Sequence, residues 1–418
     1  MNVQSPHRSQ WTVLCFLNGR RGLQPDVERT VRQLESVGSG PDIQFVAQVF
    51  REDPYPGVDC SHVQKSSWLG LWPNSRSLAA TEHTDPADPR TFQEFLVLYM
   101  KAFPAEHYLV LVESHGGAIG GICGQSLEEF QGAVEGATRA VGQTIDILAL
   151  DSCLMGTAET AFGLKDSVGF LAASEELLLS DNLRYGKLAK ELRGRVENGG
   201  LSVQQALTAL HRARQNRQLS TASVIDCSKL DELAARMRPF ARSLVTVADG
   251  PAREAIGQGQ HYRQPAARQR SFQHHSGETP MDQMRDLVSV ARRVEAGPGR
   301  DDEGLAEAAR AVAGFVQNEV VVAESHDSRL GLADSHGLSL YAPVKGAEAV
   351  VETYRKLSFA AATGWDRVVE RYGRSSADGP LCQECPPDPR ISSRRTGKPG
   401  RGRGQAAGGR ALLRPTDW

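Results

Sequence analysis

The chain has 418 residues, 40% of them hydrophobic and 23% charged, and its formal net charge is −2. That length is ample for a large core, the proportions are those of a soluble globular protein, and the near-neutral total excludes a chain-wide nucleic-acid footprint or a membrane-seeking surface. Seven cysteines, at 15, 60, 123, 153, 227, 382 and 385, are odd in number and irregular in spacing, so reduced thiols are expected and not a disulfide framework.

From the N-terminus, Trp11 to Leu17 is a short β-rich run with no small-residue cleavage site after it, and no run of ~18 apolar residues occurs anywhere; a cytoplasmic protein without a membrane partner is expected. Similar runs follow at Ile43 to Phe50, Tyr108 to Val112, Ile145 to Leu150 and Val168 to Ala172. Helix-period segments lie between them at Asp26 to Val37, Thr91 to Ala102 and Ser126 to Val141. Such alternation predicts an α/β fold with a mostly parallel central sheet, whose ligands gather at the carboxyl ends of the strands. The continuous apolar character of Tyr108 to Val112 and Ile145 to Leu150 marks central strands covered on both faces.

Beyond residue 200 the pattern turns helical, at Val203 to Arg214, Lys229 to Val247, Met281 to Val294 and Glu303 to Val316, with strands expected at Ser223 to Cys227 and Gly337 to Ala342. Pro251 to Pro280 is polar and aperiodic and reads as a surface loop. The expected organisation is an α/β domain over 1–200, a helix-rich part over 201–372, and a basic Gly/Arg tail over 373–418 too poor in apolar residues to order itself.

Two strand ends carry candidate chemistry. YLVLVESHGG brings His115 to a strand's carboxyl edge, followed by Gly116 and Gly117, where the lack of a side chain lets backbone N–H groups approach a ligand. IDILALDSCLMG ends its strand at Asp151, Ser152 and Cys153. If the strands are neighbours, imidazole and thiol meet across the edge, with a thiolate favoured by the imidazole and by a helix N-terminus at Cys153, and the N–H groups of Gly116 and Cys153 converge on an oxyanion. The bland alternative is a buried cysteine and a turn histidine.

SHGG at 114 to 117, LDSCLM at 150 to 155 and ASEE at 173 to 176 resemble the clostripain family of cysteine peptidases, members of the caspase-like clan, with weaker echoes in WTVLCFLNG, SVIDCSKL and HGLSLYAP. The resemblance implies a caspase-like α/β/α sandwich and an endopeptidase with Cys153 as nucleophile, His115 as general acid/base, and Gly116 and Cys153 as oxyanion donors. It also implies a polypeptide substrate bound through Ser174 and Glu175 of the pocket-shaping segment. Asp151 falls on a family position in the pocket for the residue before the cleaved bond, and Asp181 is a second candidate for its floor. A carboxylate there favours Arg or Lys. No cofactor is implied, although calcium stays open. Departures are Ser152 in place of Ala, Asn18, Gly19 and Arg20 where an acidic segment is common, and a short stretch between His115 and Cys153 that leaves little room for an activation cut.

Rival readings are a catalytically silent caspase-fold module that binds a peptide or partner, and weak nucleic-acid binding through the tail. HGGAIGGICG lacks the Gly-Lys-Ser/Thr ending of a phosphate loop. His336 precedes its apolar segment and reads as a turn residue, the CQEC pair at 382 to 385 has no second pair to complete a zinc site, and His261, His274 and His275 lack ligand spacing.

Overall fold

The computed structural model describes residues 8–52, 56–66, 75–178, 182–214, 220–262 and 280–374. Every apolar run of the first half is a strand: Ser9–Asn18 (β1), Ile43–Arg51 (β2), Ala105–Glu113 (β5), Ile145–Asp151 (β6) and Val168–Ala173 (β7) pair in parallel in the order β7-β6-β5-β1-β2. Antiparallel strands extend both sides. Gly57–His62 (β3) and Arg76–Leu78 (β4) continue beyond β2, while Thr221–Asp226 (β8) and Val321–His326 (β10) continue beyond β7. Met284–Asp286 (β9) and Ser339–Tyr341 (β11) form a separate antiparallel pair.

Both faces of the parallel strands are dry, which is why those strands read as unbroken apolar runs. Leu14, Phe16, Val110, Val112, Leu148 and Leu150 point to one face; Val13, Cys15, Leu109, Leu111, Ile147 and Ala149 point to the other. Gln24–Glu35 (α1), Tyr185–Glu197 (α5) and Val203–Arg214 (α6) bury their apolar stripes against the second face. The first is covered by Pro89–Ala102 (α2), Leu127–Val141 (α3), Ala158–Leu164 (α4) and Leu230–Leu244 (α7), and Leu287–Ala296 (α9) and Glu303–Phe315 (α10) belong to the same core. On α2 the stripe is Phe92, Phe95, Leu96 and Tyr99, each buried and each phenyl contributing about 1.5–3 kcal/mol. Local signals start and stop these helices: Ser126 and Glu129 close a reciprocal capping box at the head of α3, and Gly142 ends it at φ 76°.

The α/β/α sandwich expected from the sequence is what the chain forms, but three finer expectations need correction. Residue 200 is not a domain boundary: β8 and β10 complete the same sheet, and residues 1–375 make one compact unit. The stretch beyond Pro251 does not begin as a loop, because Asp249–Gly257 is a helix (α8) that buries Ala252, Ala255 and Ile256; residues 263–279 lie outside the described residues. Met281 to Val294 is not one helix either. A 3-10 turn and β9 precede α9, whose start is set by the Asp286 side chain accepting from the Ser289 N–H. His274, His275, the CQEC pair and the tail from 375 onward lie outside the described residues. Among the described residues no helix is long and apolar enough to cross a membrane.

Candidate active site

Glu113 on β5 stands in register with Asp151 on β6, so the residues that follow them leave the sheet side by side at its carboxyl edge. These are Ser114–His115–Gly116 and Ser152–Cys153–Leu154. The loops press on one another: a Cβ at Gly116 would lie 2.5 Å from the Cys153 carbonyl oxygen and 2.8 Å from Met155 Cγ. Only glycine fits there. Leu154, fully buried, adopts φ 59°, and its N–H donates to the Glu176 carbonyl at 3.3 Å. A left-handed leucine costs about 1–2 kcal/mol, a strain that marks the turn bearing Cys153. That turn does not open a helix. The next helix, α4, begins at Ala158 with Thr157 as its cap, so the helix N-terminus expected to favour a thiolate is displaced from the sulfur.

His115 is exposed, and its Nε2 lies 3.0 Å from the Arg21 carbonyl oxygen. A ring nitrogen facing a carbonyl must carry the proton, which leaves Nδ1 as the acceptor in the neutral ring. Arg21 itself sits at φ 57°, with its N–H and that of Gly22 donating to the two Glu52 carboxylate oxygens at 2.8 Å each. From the other side, the Asn18 amide donates to Ser114 Oγ at 3.1 Å, and the Cys123 N–H to the His115 carbonyl at 3.2 Å.

Cys153 is part-buried, and the Leu178 N–H donates to its Sγ at 3.3 Å. Burial pushes the thiol up to about 11; the Leu178 N–H opposes this, and the charges of Glu176 and Asp151 reinforce it. The expectation of a thiolate-favouring environment is therefore corrected: in this arrangement the thiol is neutral. Among the described residues the N–H groups of Gly116 and Cys153 donate to no backbone carbonyl. Also among these residues, no group of three or more His, Cys, Asp or Glu side chains could hold a metal ion.

Asp151 projects to the face covered by α1, α5 and α6, where it accepts from Tyr185 OH at 3.0 Å and Asn182 Nδ2 at 3.4 Å. Burial raises its pKa, and the buried Arg214 guanidinium opposes the rise. Glu113, which sequence reading passed over, lies beside it and accepts from Thr30 Oγ1 at 2.8 Å; burial and then the Asp151 charge push it up to about 8. The signal was present as a lone carboxylate ending an apolar strand.

Ser174 and Glu175, expected to contact the substrate, are 0% and 1% exposed and face the interior. Ser174 Oγ bonds Thr221 Oγ1 at 2.8 Å, and Glu175 accepts from Tyr262 OH at 2.8 Å and the Gly337 N–H at 3.0 Å. They tie the loop after β7 to the C-terminal part. Asp181 lies outside the described residues. His336 is no simple turn residue, since its Nδ1 bonds the buried Asp286 at 3.0 Å.

Solved structures share this architecture. The chain is similar to an inactive zymogen C11 protease from Parabacteroides distasonis, with a TM-score of 0.62 and 14% identity over 86% of this chain and 99% of that one. It is likewise similar to a secreted C11 cysteine protease from Bacteroides thetaiotaomicron, with a TM-score of 0.62 and 15% identity over 86% of this chain and 100% of that one. A structure of a secreted C11 cysteine protease from the same organism with an irreversible peptide inhibitor gives a TM-score of 0.61 and 15% identity, covering 85% of this chain and 99% of that one. No curated protein sequence matches. Residues 72–372, which include both strand-end loops, match the Clostripain family, and the chain belongs to that family of cysteine peptidases.

Proposed function

We propose that the protein is an endopeptidase that cleaves after Arg, and after Lys less well, through a Cys153–His115 dyad. The observation that carries this reading is the contact between the two strand-end loops, in which Gly116 lies against the Cys153 carbonyl. His115 accepts the Cys153 proton as Sγ attacks the scissile carbonyl carbon. The N–H groups of Gly116 and Cys153 take the developing oxyanion. The C–N bond then breaks, with His115 returning the proton to the leaving amine, and a thioester remains. Water, deprotonated by His115, hydrolyses it and restores the thiol.

The neutral, covered thiol describes a resting state. Thiolate forms by proton transfer to His115, and the Leu178 N–H that donates to Sγ favours the charged form. Asp151 serves the residue before the cleaved bond, because a planar guanidinium can donate two parallel hydrogen bonds to a carboxylate. No cofactor takes part in these steps, and calcium is given no role. The free thiols of Cys15, Cys60, Cys123, Cys153 and Cys227 support assignment to a reducing, cytoplasmic compartment.

Arg and Lys fluorogenic peptides, offered with and without a thiol alkylator, test the reading. Hydrolysis should stop in Cys153→Ala and nearly stop in His115→Ala while the fold persists. Retention of more than a few per cent of activity in purified Cys153→Ala overturns it. Asp151→Asn should cost basic substrates ~2–4 kcal/mol in kcat/KM and spare neutral ones. A library preference for Asp or large apolar residues at that position refutes the pocket assignment.

A further inference from the structure

Glu113 has no part in the dyad, yet it is buried two residues before His115 and opposite Asp151. Neighbouring strands are about 4.8 Å apart, and both side chains project to the α1/α5/α6 face, so two carboxyl groups share one small volume. We propose that Glu113 is a second, proton-linked acid of the basic-residue pocket: it releases its proton when a cationic side chain enters beside Asp151, so that preference for Arg over an uncharged isostere strengthens as pH rises. This inference rests on the reading of Asp151 as the pocket acid.

The surrounding groups balance in a particular way. From α1 come Thr30, which donates to Glu113, and Asp26, which is paired with Arg29 at 2.7 Å. From β1 comes the buried Cys15, and ahead of and on α5 come Asn182 and Tyr185, which donate to Asp151. From α6 comes Arg214, 1% exposed. Its Nη2 donates to the Leu150 carbonyl at 2.8 Å, and among the described residues its Nε and Nη1 find no partner. The positive charge of Arg214 is therefore offset through space, chiefly by Asp151.

One guanidinium compensates one carboxylate, so the second carboxyl stays protonated. Two carboxylates about 5 Å apart at an effective dielectric near 20 repel by roughly 3 kcal/mol, about two pKa units, and burial, the larger cause, adds to this to hold one proton on the pair at neutral pH. The Arg214 charge favours the ionised form of Asp151, so the shared proton is assigned to Glu113, which burial and the Asp151 charge push up to about 8. With Asp151 negative, Arg214 positive and Glu113 neutral, the cluster has no net charge to offer a cation. An entering guanidinium or ammonium reverses the balance: the Glu113 O–H ionises, its proton passes to solvent, and the new carboxylate matches the added charge. The sign follows. Below pH ~8 binding of a cation expels up to one proton and tightens with rising pH, and above it the dependence flattens.

The test compares kcat/KM for two peptides that differ only in Arg or citrulline before the cleaved bond, from pH 6 to 9 at constant ionic strength. Titration of the catalytic groups cancels in the ratio. The Arg/citrulline ratio should rise about tenfold or more between pH 6.5 and 8.5 in the wild type, and stay flat in Glu113→Gln, whose amide can meet Thr30 but has no proton to give. Calorimetry on the wild-type enzyme, in buffers of different ionisation enthalpy, serves even if that variant folds poorly. A peptide argininal should release about half to one proton at pH 7 beyond that released by the norleucinal peptide.

A ratio well above one that is lost in Asp151→Asn but flat with pH, without extra proton release, overturns the role of Glu113 alone. A pH slope that persists in Glu113→Gln does the same. A ratio near one at every pH, indifferent to Asp151→Asn, overturns the basic-pocket reading beneath it.

Discussion

The imidazole of His115 is anchored by the main chain of Arg21, with Nε2 3.0 Å from its carbonyl oxygen. Arg21 is held in a left-handed conformation by Glu52, which accepts the N–H groups of Arg21 and Gly22. With the proposed dyad, Glu52 is a positioning residue that acts on His115 through Arg21. Glu52→Ala should lower kcat about tenfold to a hundredfold with little change in KM, because a freed Arg21 carbonyl lets the ring rotate. Glu52→Gln, which keeps one acceptor oxygen, should recover part of the loss. Steady-state kinetics with thermal unfolding checks this, and equal losses in both variants would count against it.

At Gly116 the close approach of the two loops leaves no room for a methyl group. Gly116→Ala would put a Cβ 2.5 Å from the Cys153 carbonyl oxygen and 2.8 Å from Met155 Cγ, with backbone on one side and a buried side chain on the other. The loops must separate, at a cost of roughly 2–4 kcal/mol. Activity should fall by at least a hundredfold and the Tm by several degrees. A variant of wild-type stability and rate would show that the loops are not packed as described.

The central strands were legible because burial on both faces leaves unbroken runs such as Ile145 to Leu150, and the helices because apolar residues recur at helical spacing, as Phe92, Phe95, Leu96 and Tyr99 do. The outlying strands β3 and β10 were not. Gly57–His62 and Val321–His326 are half-exposed and carry polar residues, so their sequence lacks the apolar continuity that identified the others. At the site, the exit of His115 and Cys153 from neighbouring strands followed from two motifs at strand ends. What sequence could not convey was solvation. The cover of Cys153 by Leu178 and the burial of Ser174 and Glu175 depend on how distant segments of the chain come together, as Thr221, Tyr262 and Gly337 illustrate.

Cys153 has a titration that distinguishes a covered thiol from an activated one. With its pKa pushed up to about 11, the free enzyme at pH 7 should hold about one thiolate in 10⁴, fewer than an ordinary exposed cysteine. Alkylation by iodoacetamide should be slow at pH 7 and rise about tenfold per pH unit past pH 9. Cys153 should still precede Cys15, Cys60, Cys123 and Cys227, which are buried. Peptide mapping after timed alkylation reads both the slope and the order. A rate that levels off below pH 8 would mean a depressed thiol and a sulfur that is not buried as described.

The buried link between the loop after β7 and the C-terminal part should weaken the fold at alkaline pH. Burial, and then the Asp286 charge, raise Glu175 well above the usual carboxyl range, so the folded protein keeps a proton that the unfolded chain releases above pH ~4.3. Stability then falls as pH rises, by up to about 1.4 kcal/mol per pH unit, until the folded group ionises. His336 acts in the same direction. Burial pulls its pKa down, but its bond to Asp286 and the charge of that carboxylate raise it overall. Its contribution is fully present below pH ~6.5 and is lost as pH passes the raised folded value. Glu175→Gln removes the first of these terms. Its amide oxygen can accept from the Gly337 N–H and its NH₂ can donate to Asp286, while Tyr262 OH keeps Ser335 Oγ at 3.1 Å. The variant should therefore gain on the wild type by a few degrees in Tm between pH 6 and pH 9, with the gap closing toward pH 5. Thermal unfolding across that range decides it: parallel curves for the two proteins would mean that Glu175 is ionised in the fold and that its proton does not hold the two parts together.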